Sequence, residues 1–240
     1  MLNGRAAAAV HSLSNLNIMS TTAVVQCWRC QEEHAAQAFC PACQALQVLP
    51  ADVDYFSVFG LARNPVLDEA NLTRMYYDLS RQLHPDLHQT GAAEEQEASL
   101  KNTALLNRAY RILRDPVQRG QYWLELNGQQ LGTKNNRVPA QLAALVFEVQ
   151  EKLAELREAR NTQADPTLAD LKSELEQIRA DLDEQMQGFQ QKLTTNFAKW
   201  EHPDSPQDLL SELKRVLSDM AYLRTLGRDV EREYSVSWNT

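Results

Sequence analysis

Four cysteines stand close together near the amino terminus, with the spacing Cys27-x2-Cys30-x9-Cys40-x2-Cys43. Each Cys-x-x-Cys knuckle turns two sulfurs to one side, and the short spacer folds the two pairs together, so that four thiolates reach the corners of a tetrahedron. The pattern predicts a structural zinc site, because four sulfur ligands leave zinc no open position for a substrate. Metal binding would also supply the folding free energy of a segment that is too short to bury a core.

Other chemistry stays open for these thiols. They could form a disulfide-exchanging pair, which would make the protein a zinc-thiol redox enzyme, or a ligand set for an iron-sulfur cluster, or they could remain unligated. His34 lies between the knuckles and could replace one ligand, but a surface position on the spacer is favoured. We assign residues 27–50 to this tetracysteine segment.

The tripeptide His-Pro-Asp occurs twice, at residues 84–86 and 202–204. Before the first copy, apolar residues recur every three or four positions behind the capping residue Asp68, which predicts an amphipathic helix that the proline ends. A second helical pattern runs from about Glu94 to Arg114 and is followed by the helix start Asp115-Pro116. The first copy therefore lies at the exposed tip of a helical hairpin, where proline fixes the orientation of its neighbours.

The second copy has different surroundings. It interrupts two long helical patterns, and no basic helix precedes it. We interpret it as a connecting turn without a binding role.

Three amphipathic helices are predicted in the carboxy-terminal part, at about 139–160, 166–200 and 207–231, and proline-bearing turns should fold them into an antiparallel bundle. On the first helix the core stripe comprises Leu142, Val146, Val149, Leu153 and Leu156. An acidic stripe lies on the opposite side, with Phe147 at its edge; it comprises Glu148, Glu151, Glu155 and Glu158. An exposed aromatic residue beside carboxylates is typical of a protein-docking face.

Charge and hydropathy exclude two classes of partner. The net charge is -8, and 19 acidic against 12 basic residues lie from Ala140 onward, so the chain is not expected to bind nucleic acid. It lacks an apolar run of roughly 18 residues, so we expect no membrane span. The first 26 residues hold no acidic residue and are rich in Ala, Ser and Asn, which favours a mitochondrial presequence over an untargeted disordered tail.

The hairpin and its flanks resemble the J-domain, the co-chaperone module of DnaJ-type proteins, from about Asp54 to Leu126. The similarity rests on "DYFSVFGL", "HPD", "NRAYRIL" and "DPVQRGQYW" in that order. The resemblance implies that this protein is not itself an enzyme, and that it stimulates the ATPase of a seventy-kilodalton-class heat-shock chaperone. The residues that would contact the chaperone are His84, Pro85, Asp86, Arg74 and Arg81.

The order of segments resembles the eukaryotic HscB family, whose bundle holds the iron-sulfur cluster scaffold protein and whose J-domain recruits a mitochondrial heat-shock ATPase chaperone. The resemblance implies client-binding residues at Phe147, Glu148, Glu151, Glu155 and Tyr222. It also implies an all-α fold, with a zinc-binding segment, a J-domain at 52–130 and a three-helix bundle at 138–235. The expected location is the mitochondrial matrix, with room for a cytoplasmic pool, and a J-protein with another client or a homodimer stays open.

Overall fold

The computed structural model describes residues 24–132, 138–162 and 165–238, and the side chains within them except at 160–169 and 236–238. Two short strands come first and eight α-helices follow. In chain order they are β1 Val24–Gln26, β2 Glu33–Ala35, α1 Tyr55–Val58, α2 Glu69–Leu83, α3 Pro85–His88, α4 Ala93–Arg114, α5 Pro116–Leu126, α6 Ala143–Thr162, α7 Asp165–Ala198 and α8 Pro206–Trp238. The predicted fold class, helical with a small cysteine-bearing segment in front, is confirmed.

The tetracysteine segment starts earlier than the sequence indicated. Strand β1 pairs antiparallel with β2 and places Val25 opposite His34, so residues 24–26 belong to the cysteine-bearing fold and not to the predicted tail. The rest of that tail, residues 1–23, lies outside the described part of the chain. His34 is only 8% exposed, so its predicted surface position is wrong: pairing with β1 turns its ring inward.

Helices α2 and α4 form the predicted hairpin. Asp68 caps α2 by accepting hydrogen bonds from the backbone N–H groups of Ala70 and Asn71. Asp115 caps α5 in the same way, with Pro116 at the first helical position. These caps set where each helix starts, because the first N–H groups of a helix have no partner within it.

The carboxy-terminal helices fold back on one another as predicted. Lys199 near the end of α7 bonds Glu212 near the start of α8, so these two helices are antiparallel. Helices α6 and α8 run parallel, because Gln141, just before α6, bonds Asp219 and Arg157 bonds Glu233. The predicted core stripe of α6 is buried throughout.

One continuous apolar core joins the J-domain helices to the bundle. Helix α5 packs against α7 and α8, and the rings of Trp123 and Trp200 meet edge to face with centroids 5.2 Å apart. The buried guanidinium of Arg119 lies 5.1 Å from the ring centroid of Phe197. The two parts therefore share one interior. Among the described residues, no helix is long and apolar enough to cross a membrane.

Candidate functional site

The four cysteine sulfurs converge, and all lie within 4.8 Å of one another. The Sγ atoms of Cys27 and Cys43 are 3.6 Å apart, as are those of Cys30 and Cys40. A disulfide needs about 2.05 Å, whereas a metal with four sulfur ligands at about 2.3 Å sets its sulfurs about 3.8 Å apart. The predicted ligands therefore form one cluster that could hold a metal ion.

Two loops with the same backbone hydrogen bonds build this cluster. In the first, Gln31 N–H donates to the carbonyl of Cys27 and Cys27 N–H donates to that of Glu32. Gln44, Cys40 and Ala45 repeat the arrangement in the second. Gln31 and Gln44 have φ values of 63° and 59°, a left-handed conformation that lets each knuckle close. The glutamine that follows each knuckle was the sequence signal for this repeat.

The environment of the sulfurs favours negative charge on Cys27 over Cys30. Burial raises the pKa of the Cys27 thiol, but backbone N–H hydrogen bonds from Cys30 and Arg29 outweigh this effect and lower the pKa to about 6. For Cys30 a backbone hydrogen bond with Glu32 lowers the pKa, while burial and the neighbouring sulfurs raise it to about 12. A cation among the sulfurs would stabilise the thiolate form of its ligands.

The first His-Pro-Asp copy is the exposed tip of the α2–α4 hairpin, as predicted. The side chains of His84 and Asp86 are 54% and 72% exposed. His84 Nδ1 accepts a hydrogen bond from the backbone N–H of Asp86 at 3.3 Å, and Gln89 donates to the Asp86 carboxylate at 3.1 Å. The tip thus presents an imidazole and a carboxylate to solvent in a hydrogen-bonded turn.

The predicted docking arginines on α2 are exposed, but each one bonds a neighbouring side chain of the same helix. Arg81 pairs with Asp78 three residues earlier, and Arg74 donates to the Asn71 side chain at 3.2 Å. Since Glu69 and Asp78 match the two arginines in number, α2 carries no net charge. Electrostatic attraction from this helix is therefore weak.

The second His-Pro-Asp copy is a turn between α7 and α8. A 3₁₀ turn at Lys199–Glu201 precedes it, and residues 202–204 are exposed. Helix α8 begins two residues later, at Pro206. Its placement as a connector is confirmed.

The face predicted on α6 is exposed, and Phe147 is its largest apolar group at 72% exposure. Within the described chain, no cation pairs with Glu148 or Glu151. Glu155 differs, because Lys152 Nζ lies 2.9 Å from both Glu155 and Glu174 of α7. These bonds raise the pKa of Lys152. Sequence reasoning missed this lysine, although its three-residue offset from Glu155 was visible.

Tyr222 is less available than the residues on α6. It is half-buried on α8 and packs against the core. The parallel register of α6 and α8 sets it level with about Ala144, one turn before Phe147. Its role in client binding stays a prediction.

Known proteins resemble this chain both in the J-domain and over most of its length. The family model for the DnaJ domain matches residues 54–122. The chain is 27% identical to the human iron-sulfur cluster co-chaperone protein HscB over 211 residues, which are 86% of this chain and 81% of that one. The crystal structure of human HscB matches 87% of this chain and 98% of its own, with a TM-score of 0.65 and 27% identity. The chain contains a DnaJ domain and resembles HscB co-chaperones in sequence and fold over most of its length.

Other HscB proteins are similar over shorter stretches. The HscB homolog of Arabidopsis thaliana is 27% identical over 75% of this chain and 66% of its own length. Mouse HscB is 35% identical over 54% of this chain and 58% of its own. Chaperone HscB from Vibrio cholerae, at 21% identity and a TM-score of 0.53, shares the fold. A J-domain co-chaperone of the HscB type has no enzymatic activity of its own.

Proposed function

We propose that this HscB-type protein stimulates the ATPase of a seventy-kilodalton-class heat-shock chaperone and delivers an iron-sulfur cluster scaffold protein to it for cluster transfer. The observation that carries the proposal is the presence of two separate exposed surfaces on one continuous core. One is the His-Pro-Asp tip, and the other is the α6 face around Phe147. The names of the human, mouse and Arabidopsis relatives support the iron-sulfur role.

The mechanism follows from holding two partners on one body. The bundle binds the scaffold, and the tip of the J-domain contacts the chaperone. Linking the two converts client capture into an encounter at a high effective concentration. ATP hydrolysis by the chaperone then favours a conformation that binds the client differently, which drives cluster release.

An ATPase assay tests the first half. His84→Gln keeps the size of the side chain but removes the imidazole, and we expect it to abolish stimulation of a mitochondrial chaperone of this class while scaffold binding is retained. His202→Gln is the matched control, because the same substitution falls in the connecting turn; it should stimulate like the wild type. Equal stimulation by both variants would refute the assignment of the tip.

Binding to the scaffold tests the second half. Truncating an exposed aromatic anchor in an interface typically costs about 2 kcal/mol or more, so Phe147→Ala should weaken scaffold binding about 30-fold. Leu100→Ala, which removes an apolar side chain with 62% exposure from α4, should leave binding unchanged. Synergistic stimulation by scaffold and this protein together would support delivery. Stimulation that ignores the scaffold would leave a J-protein for another client.

We propose that the metal is zinc, held by Cys27, Cys30, Cys40 and Cys43. Support comes from the four-sulfur donor set and the sulfur separations. One zinc per chain, retained under mild oxidation, is the expected result of metal analysis. Rapid formation of a disulfide between two of these residues would favour the zinc-thiol redox alternative.

The proposed location is the mitochondrial matrix. The composition of residues 1–23 and the eukaryotic relatives support it. Import of the full chain into isolated mitochondria, compared with a chain that starts at residue 24, tests the presequence. Equal import of the two chains would contradict it. A concentration-dependent mass in solution would support the homodimer.

A further inference from the structure

Gln47 connects the cysteine-bearing loops to the rest of the chain. It is only 4% exposed, and its side-chain amide donates to the sulfur of Cys27 at 3.3 Å and to the carbonyl of Ala45 at 2.9 Å. Its Oε1 accepts from the backbone N–H of Trp28 at 3.3 Å. All of these bonds end on the two loops, so the position of Gln47 depends on them.

Asn102 of α4 holds the backbone at that place. Its side-chain amide donates to the carbonyl of Gln47 at 2.7 Å, and its Oδ1 accepts from the N–H of Leu49 at 3.0 Å. Asn102 is 1% exposed. Water cannot readily replace these partners, and a buried amide without partners is strongly unfavourable.

The same part of α4 anchors the His-Pro-Asp tip. The hydroxyl of Ser99 donates to the carbonyl of Leu83 at 2.6 Å, and that of Thr103 donates to the same oxygen at 3.0 Å. Leu83 is the last residue of α2 and directly precedes His84. Since the last carbonyls of a helix lack partners within it, the two hydroxyls fix the point from which the tip projects.

We infer that metal occupancy of the tetracysteine site controls the order of the His-Pro-Asp tip, with Gln47 and Asn102 as positioning residues. The inference rests on the proposed metal site and on the proposed role of the tip. Without the ion, the two loops lose the links that the four sulfurs would make through it, and the backbone from Ala45 to Leu49 becomes less ordered. Asn102 then loses both partners, and the turns of α4 that bind Leu83 open more often.

Hydrogen exchange of the full chain tests this inference. Amides of residues 80–91 are followed with zinc bound and after removal of zinc by a chelator. We expect exchange to become at least about fivefold faster after chelation, which is the scale of one lost buried hydrogen bond. In Asn102→Ala exchange should be fast even with zinc, so chelation should add little. Lys101→Ala, one position away on the exposed side of α4, should behave like the wild type.

Zinc content measured in the same samples separates the possible failures. If zinc binds and its removal loosens residues 24–49 but leaves residues 80–91 unchanged, the inference is overturned while the metal site stands. If no zinc binds, the metal site fails and the inference fails with it. Should Asn102→Ala not fold, the wild-type comparison with and without zinc decides alone. No chaperone is present, so the result is independent of ATPase stimulation.

Discussion

Gly120 lies where α5 of the J-domain meets the bundle, and replacing it tests whether the two parts share one interior. A Cβ atom added there would lie 3.2 Å from Leu217 Cδ1 and 3.4 Å from both Leu213 Cδ1 and Phe197 Cζ. Ordinary carbon contacts are about 3.5–4.0 Å. Gly120→Ala gains about 0.8–1.0 kcal/mol of helix propensity, which the short contacts offset, so we expect a change in stability within about 1 kcal/mol.

Valine at the same position adds two more carbons to occupied space. Overpacking of this kind costs about 1–3 kcal/mol, so Gly120→Val should lower the free energy of unfolding by that amount. Gly227 of α8 provides the control, because an added Cβ there would have no atom within 4 Å apart from its chain neighbours and the backbone of its own helix. We expect Gly227→Ala to stabilise the protein by up to about 1 kcal/mol, and Gly227→Val to cause no loss.

Urea unfolding of the four variants side by side is the measurement. A difference of about 1–3 kcal/mol between the two valine variants corresponds to roughly 2–12 °C in Tm for a chain of this size. Near-ultraviolet circular dichroism should change in Gly120→Val alone, since Trp123 and Trp200 lie at this contact. If Gly120→Val were as stable as Gly227→Val, the close approach of α5 to the bundle would be refuted.

Three further predictions concern charge. Burial raises the pKa of Asp219 above its ordinary 3.8, against the lowering effects of Arg215 and Gln141. The free energy of unfolding therefore falls as pH rises through the raised pKa of this carboxyl. In thermal unfolding, Asp219→Asn should be more stable than the wild type at about pH 7, and this gain should be absent below about pH 3.5. Lys152→Met should lower the unfolding midpoint in urea at low salt, and by less at high salt, because Lys152 bridges α6 and α7 at a part-exposed site. Zinc affinity, followed by zinc titration, should fall between about pH 7.5 and pH 5.5, since protons compete for the thiolates.

Much of the fold could be predicted from local patterns. The caps at Asp68 and Asp115 and the apolar periodicity of α2, α4 and the bundle helices are properties of adjacent residues, and they gave helix starts close to the observed ones. The end of α8 was predicted at about residue 231, and the helix continues to Trp238. The inward turn of His34 could not be predicted this way. Its burial depends on strand pairing with Val25, and a three-residue strand has too little pattern to detect.

For the candidate site, the helical pattern predicted which residues of α6 are exposed, but it did not predict their ion pairs. The sequence indicated which residues form the acidic stripe, and the structure exposes Phe147, Glu148 and Glu151. Lys152 pairs with both Glu155 and Glu174. This pairing could not be predicted, because it depends on the antiparallel packing of α7 against α6. The bonds of Asn102 to the tetracysteine segment link residues more than 50 positions apart, a distance at which sequence spacing carries no information.

The contact between α5 and the bundle has a consequence for protein engineering and for evolution. Gly120 packs closely against Leu217, and Trp123 contacts Trp200. This J-domain therefore cannot be transferred to another protein as an independent module. In a chimera that joins this J-domain to another client-binding domain, the side of α5 that contacts the bundle would be exposed to solvent. A foreign J-domain joined to this bundle would contact a surface that is complementary to a glycine. Functional domain exchanges should therefore transfer the J-domain and the bundle together. The two domains form one unit of recombination.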